Sequence, residues 1–161
     1  MNQTLFHLAF PITDISQTKE FYVDGLGCIA GRETHHALIL NLYGHQLVAH
    51  VTKELLTPQR GIYPRHFGLI FTSVSTWENL LERVLSRQLL FREEPKHRFP
   101  GLPLEHRTFF LEDPFYNLME FKYYRHAEAI FGRYDHAQIG DAEGGTLSCD
   151  HRFFSTHLTI N

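Results

Sequence analysis

The sequence predicts an α+β fold built from two βαβββ modules. Three observations carry that expectation: a weak internal repeat, a switch from strand-like to helical periodicity inside each copy, and three punctuated strand-like stretches after each switch. Residues 6–22 read FHLAFPITDISQTKEFY and residues 65–81 read RHFGLIFTSVSTWENLL. With His7 laid on His66, Asp14 falls on Ser73.

Each copy opens with a short apolar run of strand character that ends at a helix-start signal. Asp14 is followed three residues on by Gln17, and Ser75 by Glu78. That is the capping-box spacing, which satisfies the free N–H groups of a first turn. Helices are expected near 15–26 and 75–87. Trp77, Leu80, Leu81, Val84 and Leu85 share one face of the second, the spacing of a helix packed on a sheet. Gly25 and Gly27 end the first, where a left-handed backbone suits glycine.

Strands follow near 28–33, 36–42 and 45–51 in the first module and near 89–94, 106–112 and 117–124 in the second, separated by Gly, Pro, Asn or Asp. Residues 52–64 read as a linker, and residues 95–103 as a long loop of the kind that borders sites. One domain therefore spans 1–126, with module 1 over about 5–51 and module 2 over about 65–125. Residues 127–161 form a C-terminal extension of polar, Gly-rich sequence with one Phe153-Phe154 pair. No role is assigned to it, and both a docked and a disordered segment fit its composition.

With 161 residues, 43% of them hydrophobic, the chain can bury a core without covalent staples. The formal charge of −3 and the lack of Lys/Arg runs exclude an electrostatic footprint for nucleic acid or anionic membrane, so a small-molecule substrate is expected. Two cysteines, Cys28 and Cys149, form no disulfide framework or CxxC spacing and suit a reducing cytoplasm. The opening MNQTLFHLAF lacks the features of a secretory leader, and no apolar run reaches the roughly 18 residues of a membrane span.

Twelve histidines are present, and most, such as His35, His36, His97, His136 and His151, stand in polar contexts that predict solvated side chains. Position selects His7 and His66, which occupy equivalent places in apolar runs where a polar ring needs a partner. The repeat also aligns GHQLVAH (44–50) with YNLMEFK (116–122), so that Val48 pairs with Glu120. A carboxylate inside Leu-Met-Glu-Phe calls for a cation, hydrogen bonds or solvent. Two imidazoles and one carboxylate form a facial set that leaves coordination positions open on a divalent metal. Strand alternation puts Gln46, Val48 and His50 on one face, with His50 a candidate acid or base, and makes Thr108, Phe110 and Lys122 candidate cavity walls.

The histidine-led FHLAFPITDISQTKEFYVDGLG, the Asp113-Pro114 turn and the glutamate of FFLEDPFYNLMEFKYY together resemble the vicinal oxygen chelate superfamily, over residues 5 to about 125. That superfamily includes glyoxalase I, extradiol dioxygenases, fosfomycin-resistance transferases and bleomycin-resistance proteins. The resemblance implies curled mixed sheets around a metal-binding cavity, one metal ion on His7, His66 and Glu120, and a homodimer. Fe or Mn is favoured and Zn or Ni is compatible. It implies a dioxygenase-like oxidoreductase first, with a glyoxalase-like isomerase or lyase, or a metal-free binding protein, as alternatives. Val48 stands where isomerases of the glutathione adduct carry a fourth ligand. Ala9 and Phe110 replace the threonine and tyrosine of fosfomycin transferases, and Phe110 also replaces the tyrosine usual in extradiol dioxygenases.

Overall fold

The computed structural model describes residues 4–140. Module 1 runs β1 (His7–Ile12), α1 (Ile15–Lys19) with a π-helical continuation over Glu20–Gly25, β2 (Ile29–Glu33), β3 (Ala37–Leu42) and β4 (His45–Val51). Module 2 runs β5 (Phe67–Phe71), α2 (Val74–Ser86), β6 (Phe91–Arg98), β7 (His106–Glu112) and β8 (Leu118–Tyr124). The order βαβββ occurs twice, as the repeat predicts. No helix among the described residues is long and apolar enough to cross a membrane.

Each module forms an open four-stranded mixed sheet, ordered β1-β4-β3-β2 and β5-β8-β7-β6. In both, the first strand lies parallel to the last, and the other pairs are antiparallel. Ala9 pairs with Val48 in the first sheet and Gly68 with Glu120 in the second. This is the register that the two alignments, His7 on His66 and Val48 on Glu120, require of each other.

Alternation then sorts the side chains. Phe10, Ile12, Leu47 and Ala49 of module 1 and Met119 and Phe121 of module 2 turn inward, joined by Trp77, Leu80 and Val84 of α2 in a single core cluster that spans both modules. Phe10 meets Phe67 at 5.8 Å and Tyr43 meets Phe71 at 5.1 Å between ring centroids. Those contacts join the two halves.

Three elements, α2, α1 and β6, depart from what the sequence suggests. The cap of α2 is Ser73, the repeat partner of Asp14, rather than Ser75. Asp14 Oδ1 accepts from Gln17 N–H at 2.7 Å, whereas the Ser73 hydroxyl turns to that of Ser75 at 2.8 Å. Leu85 lies at the rim of the buried stripe and is exposed. α1 keeps α geometry only to Lys19. The carbonyls left at the end of the widened segment are taken by Arg83 of α2, which donates to Gly25 O at 2.7 Å and Asp24 O at 2.9 Å, while Gly27 turns the chain at φ +85°. Finally, β6 extends to Arg98, past Pro95. An edge strand tolerates a residue without an N–H, and bulges between Phe91 and Glu93 and between Glu93 and Lys96 absorb it.

The loop between β6 and β7 is held from inside by Glu105. Its carboxylate accepts from Gly101 N–H at 2.7 Å and meets His97 Nε2 at 3.0 Å and Arg125 at 3.3 Å. These bonds, the Gly101 N–H foremost, lower its pKa to about 2. His97, expected to be solvated, is thereby a structural partner. Among the described residues the extension makes one 3₁₀ turn, Ala127–Ala129. The Phe153-Phe154 pair, Cys149 and His151 lie outside the described residues.

Asp113, in the Asp-Pro turn between β7 and β8, joins the modules. It accepts from the Tyr22 hydroxyl, Asn117 Nδ2, and the N–H groups of Phe115 and Asn117, all at 2.8 Å, while Asn117 Nδ2 also donates to Pro11 O at 2.9 Å. Burial raises the pKa of the Asp113 carboxyl, and these bonds offset only part of that rise. Asp113→Ala strands several buried donors, and a denaturant titration is expected to show a loss of about 2–3 kcal/mol, with Tyr22→Phe costing less.

Candidate metal centre

Glu120 sits on β8, an interior strand, and is 6% exposed. A carboxylate so placed needs partners, and three side chains supply them. Thr108 Oγ1, across on β7, donates to Oε1 at 2.7 Å. His66 Nε2 lies 3.2 Å and Lys122 Nζ 3.0 Å from Oε2. Period-2 alternation puts Thr108, Phe110, Glu120 and Lys122 on the face opposite the core, as expected.

His66 immediately precedes β5 and is oriented from the linker. Its Nδ1–H donates to the Ile62 carbonyl at 2.9 Å, and because a carbonyl only accepts, this assigns the proton to Nδ1. In the neutral ring Nε2 is then a bare lone pair facing a carboxylate oxygen. Two acceptors at that distance need a positive charge between them, either a proton or a metal ion. Phe110 packs edge-on against the imidazole, with centroids 5.3 Å apart and planes at 86°, and Tyr63 borders it at 5.9 Å. His66, Gly68, Ile70, Glu120 and Lys122 border a shallow, open cavity of about 230 Å³.

His7 stands elsewhere. It opens β1 on the other sheet and is exposed, not set in an apolar run's interior as its context suggested. Its Nδ1 bonds Gln46 Oε1 at 2.8 Å, so here too Nδ1 is tied and Nε2 is the nitrogen left over. Oriented histidines of this kind are typical of metal ligands. Gln46, Val48 and His50 share the face of His7, as their register predicts, with His50 exposed. Among the described residues of one chain, no three His, Cys, Asp or Glu side chains converge on a point where a metal could sit. One chain joins His66, Glu120, Thr108, Phe110 and Lys122, and leaves His7, Gln46, Val48 and His50 on the first sheet.

Two residues of this face escape a sequence reading. His106 is buried, stacked on Tyr124 at 4.9 Å, and bonded through Nδ1 to Leu104 O at 2.8 Å; burial lowers its pKa. Its alternation with Thr108 and Phe110 was the available signal. Gly68 pairs with Glu120, and a Cβ there would overlap the Glu120 backbone oxygen. Glycine inside a strand signals such close approach.

A paired-βαβββ architecture with His66 and Glu120 on one sheet face defines the class, and comparison with known proteins agrees. The profile of the Glyoxalase/Bleomycin resistance protein/Dioxygenase superfamily matches residues 4–121, and the chain belongs to that superfamily. Among solved structures, a glyoxalase/bleomycin resistance protein/dioxygenase from Alicyclobacillus acidocaldarius is 38% identical, with a TM-score of 0.76 over 81% of this chain and 100% of that one. A fosfomycin resistance protein from Listeria monocytogenes (16% identity, TM-score 0.58, 76% of this chain and 94% of that one) shares the fold. So does a lactoylglutathione lyase from Agrobacterium tumefaciens (15%, 0.57, 75% and 93%). No curated protein matches the sequence.

Gly68→Ala must force β5 away from β8 beside Glu120. An overpacking loss of about 1–3 kcal/mol or more is expected in thermal or denaturant unfolding, whereas Gly61→Ala, with open space around it, is expected to leave stability nearly unchanged.

Proposed function

We propose that the protein is a mononuclear metal-dependent enzyme acting on a small substrate with adjacent oxygen atoms, with His66, Glu120 and His7 as ligands. The observation that carries this reading is His66 Nε2 set against Glu120 Oε2 at 3.2 Å, with Nδ1 anchored to a backbone carbonyl. The nitrogen and oxygen donors suit Fe(II), Mn(II), Zn(II) or Ni(II). When bound, such an ion supplies Lewis-acid polarisation of the substrate oxygens and, for Fe or Mn, oxygen chemistry. The chain's own residues do the remaining work. Ile62 and Gln46 hold the imidazoles in the ligating tautomer, Thr108 orients the carboxylate, and Phe110 keeps water from one side of His66.

The separation of His7 from the other two ligands is reconciled by a homodimer, in which His7 from a second copy completes each centre. Three features support it. His7 is exposed on the open edge strand β1, it is flanked by the exposed Leu5 and Phe6, and the pocket of His66 is bordered by the half-exposed Ile70 on the open edge strand β5. His50, exposed on the same face as His7, is then available as a proton carrier.

Oxidoreductase chemistry of the dioxygenase kind is the first activity assigned, and oxygen uptake on vicinal diols is its screen. The lyase name of the Agrobacterium tumefaciens protein makes isomerase or lyase chemistry with Zn or Ni the second. The test of the site is complementation. His7→Ala and Glu120→Ala chains, each alone, are expected to lose Mn(II) or Fe(II) binding, and the purified heterodimer of the two is expected to regain one of its two sites. Metal in the unchanged protein without recovery in the heterodimer places the site within one chain. No metal in the unchanged protein points to a metal-free binding protein.

A further inference from the structure

Lys122 has no place in the ligand set, yet it takes the key position on it. Its Nζ lies 3.0 Å from Glu120 Oε2, the same oxygen that His66 Nε2 approaches. Both partners are sheltered, with the Lys122 side chain 24% and that of Glu120 7% exposed. Lys122 is also the only Lys or Arg among the described residues that border the cavity. Across the sheet it pairs with Thr108, whose hydroxyl holds the other oxygen of the same carboxylate.

We infer that Lys122 is a built-in competitor of the metal that becomes the anion-recognising group once the metal binds, so that the substrate is an anion whose charged group adjoins its chelating oxygens. This rests on the metal-site reading above. A divalent ion held by His66 and Glu120 would set a doubly charged neighbour beside the ammonium, where a protonated imidazole sets only a single charge, and the repulsion on Lys122 would rise accordingly. Lys122 therefore leaves Oε2 when the metal arrives. Its stem remains fixed on β8, so the freed ammonium stays at the edge of the cavity. One carboxylate and two neutral imidazoles leave a divalent centre net positive, and Lys122 adds a second positive charge. A neutral diol makes no use of that field, whereas a carboxylate- or phosphonate-bearing chelator does.

The experiment uses the full chain with Mn(II) alone, then with oxalate as an anionic probe with vicinal oxygens. Lys122→Met and Lys122→Gln are compared with Lys122→Arg, and thermal unfolding without metal confirms that each folds. The neutral variants are expected to bind Mn(II) about tenfold more tightly than the unchanged chain, and their Mn(II)-loaded forms to bind oxalate about tenfold more weakly. Lys122→Arg is expected to track the unchanged chain in both. Equal or weaker Mn(II) binding by the folded neutral variants, or undiminished oxalate binding, overturns the assignment while leaving the metal site standing. Mn(II) binding by the neutral variants but not by the unchanged chain supports it, and absence of binding in every chain removes the metal-site reading itself and this inference with it.

Discussion

The burial of one carboxylate governs the arrangement around it. Glu120 is on an interior strand whose neighbours, Met119 and Phe121, belong to the core, and an ionised group so placed is tolerated only with its lone pairs engaged. Thr108, His66 and Lys122 engage them. Each comes from a different route through the chain: β7, the end of the linker, and β8 itself. The Ile62 carbonyl reaches into the same group by tying His66. The linker is thus part of the site and not only a tether between modules. Gly68 follows from the same constraint, since the strand that brings His66 in must pass close to the Glu120 backbone.

The two modules share a construction and differ in how it is used. The same parallel pairing of first and last strand places Ala9 beside Val48 and Gly68 beside Glu120. In the first module that position is apolar and the histidine before it is exposed. In the second it is acidic and the histidine is partly enclosed. In the proposed centre one half is thus built within a chain and the other is presented outward. The buried bond of Tyr22 with Asp113, and those of Asn117 with Asp113 and Pro11, fix the two halves to each other. They make the outward presentation of His7 a property of the whole chain.

Much of this was legible in the sequence because the repeat and strict alternation are local signals. β4 and β7 occupy the residues that alternation marks out, and the face shared by Gln46, Val48 and His50 follows from register alone. Less legible were features decided by contacts between elements. The π-helical turn of Glu20–Gly25 depends on Arg83 from α2. The extension of β6 past Pro95 depends on its being an edge strand. The exposure of His7, where an apolar context suggested burial, depends on β1 being an edge as well. Lys122 was legible as a wall residue, but its contact with Glu120 was not, because sharing a strand face does not say which oxygen a flexible ammonium reaches. Family membership came from motifs and order, while substrate and metal depend on side-chain placement that motifs do not carry.

The central claim is that His66, Glu120 and an outward-facing His7 form one metal centre. Anomalous diffraction at the metal edge from crystals of the Mn(II)- or Zn(II)-loaded protein measures this directly. The account predicts one anomalous peak per chain, bonded to His66 Nε2, a Glu120 carboxylate oxygen and His7 Nε2 from a second copy, with both Nδ1 atoms still held by Ile62 and Gln46. A peak at other side chains, or a centre lacking Glu120, would contradict it.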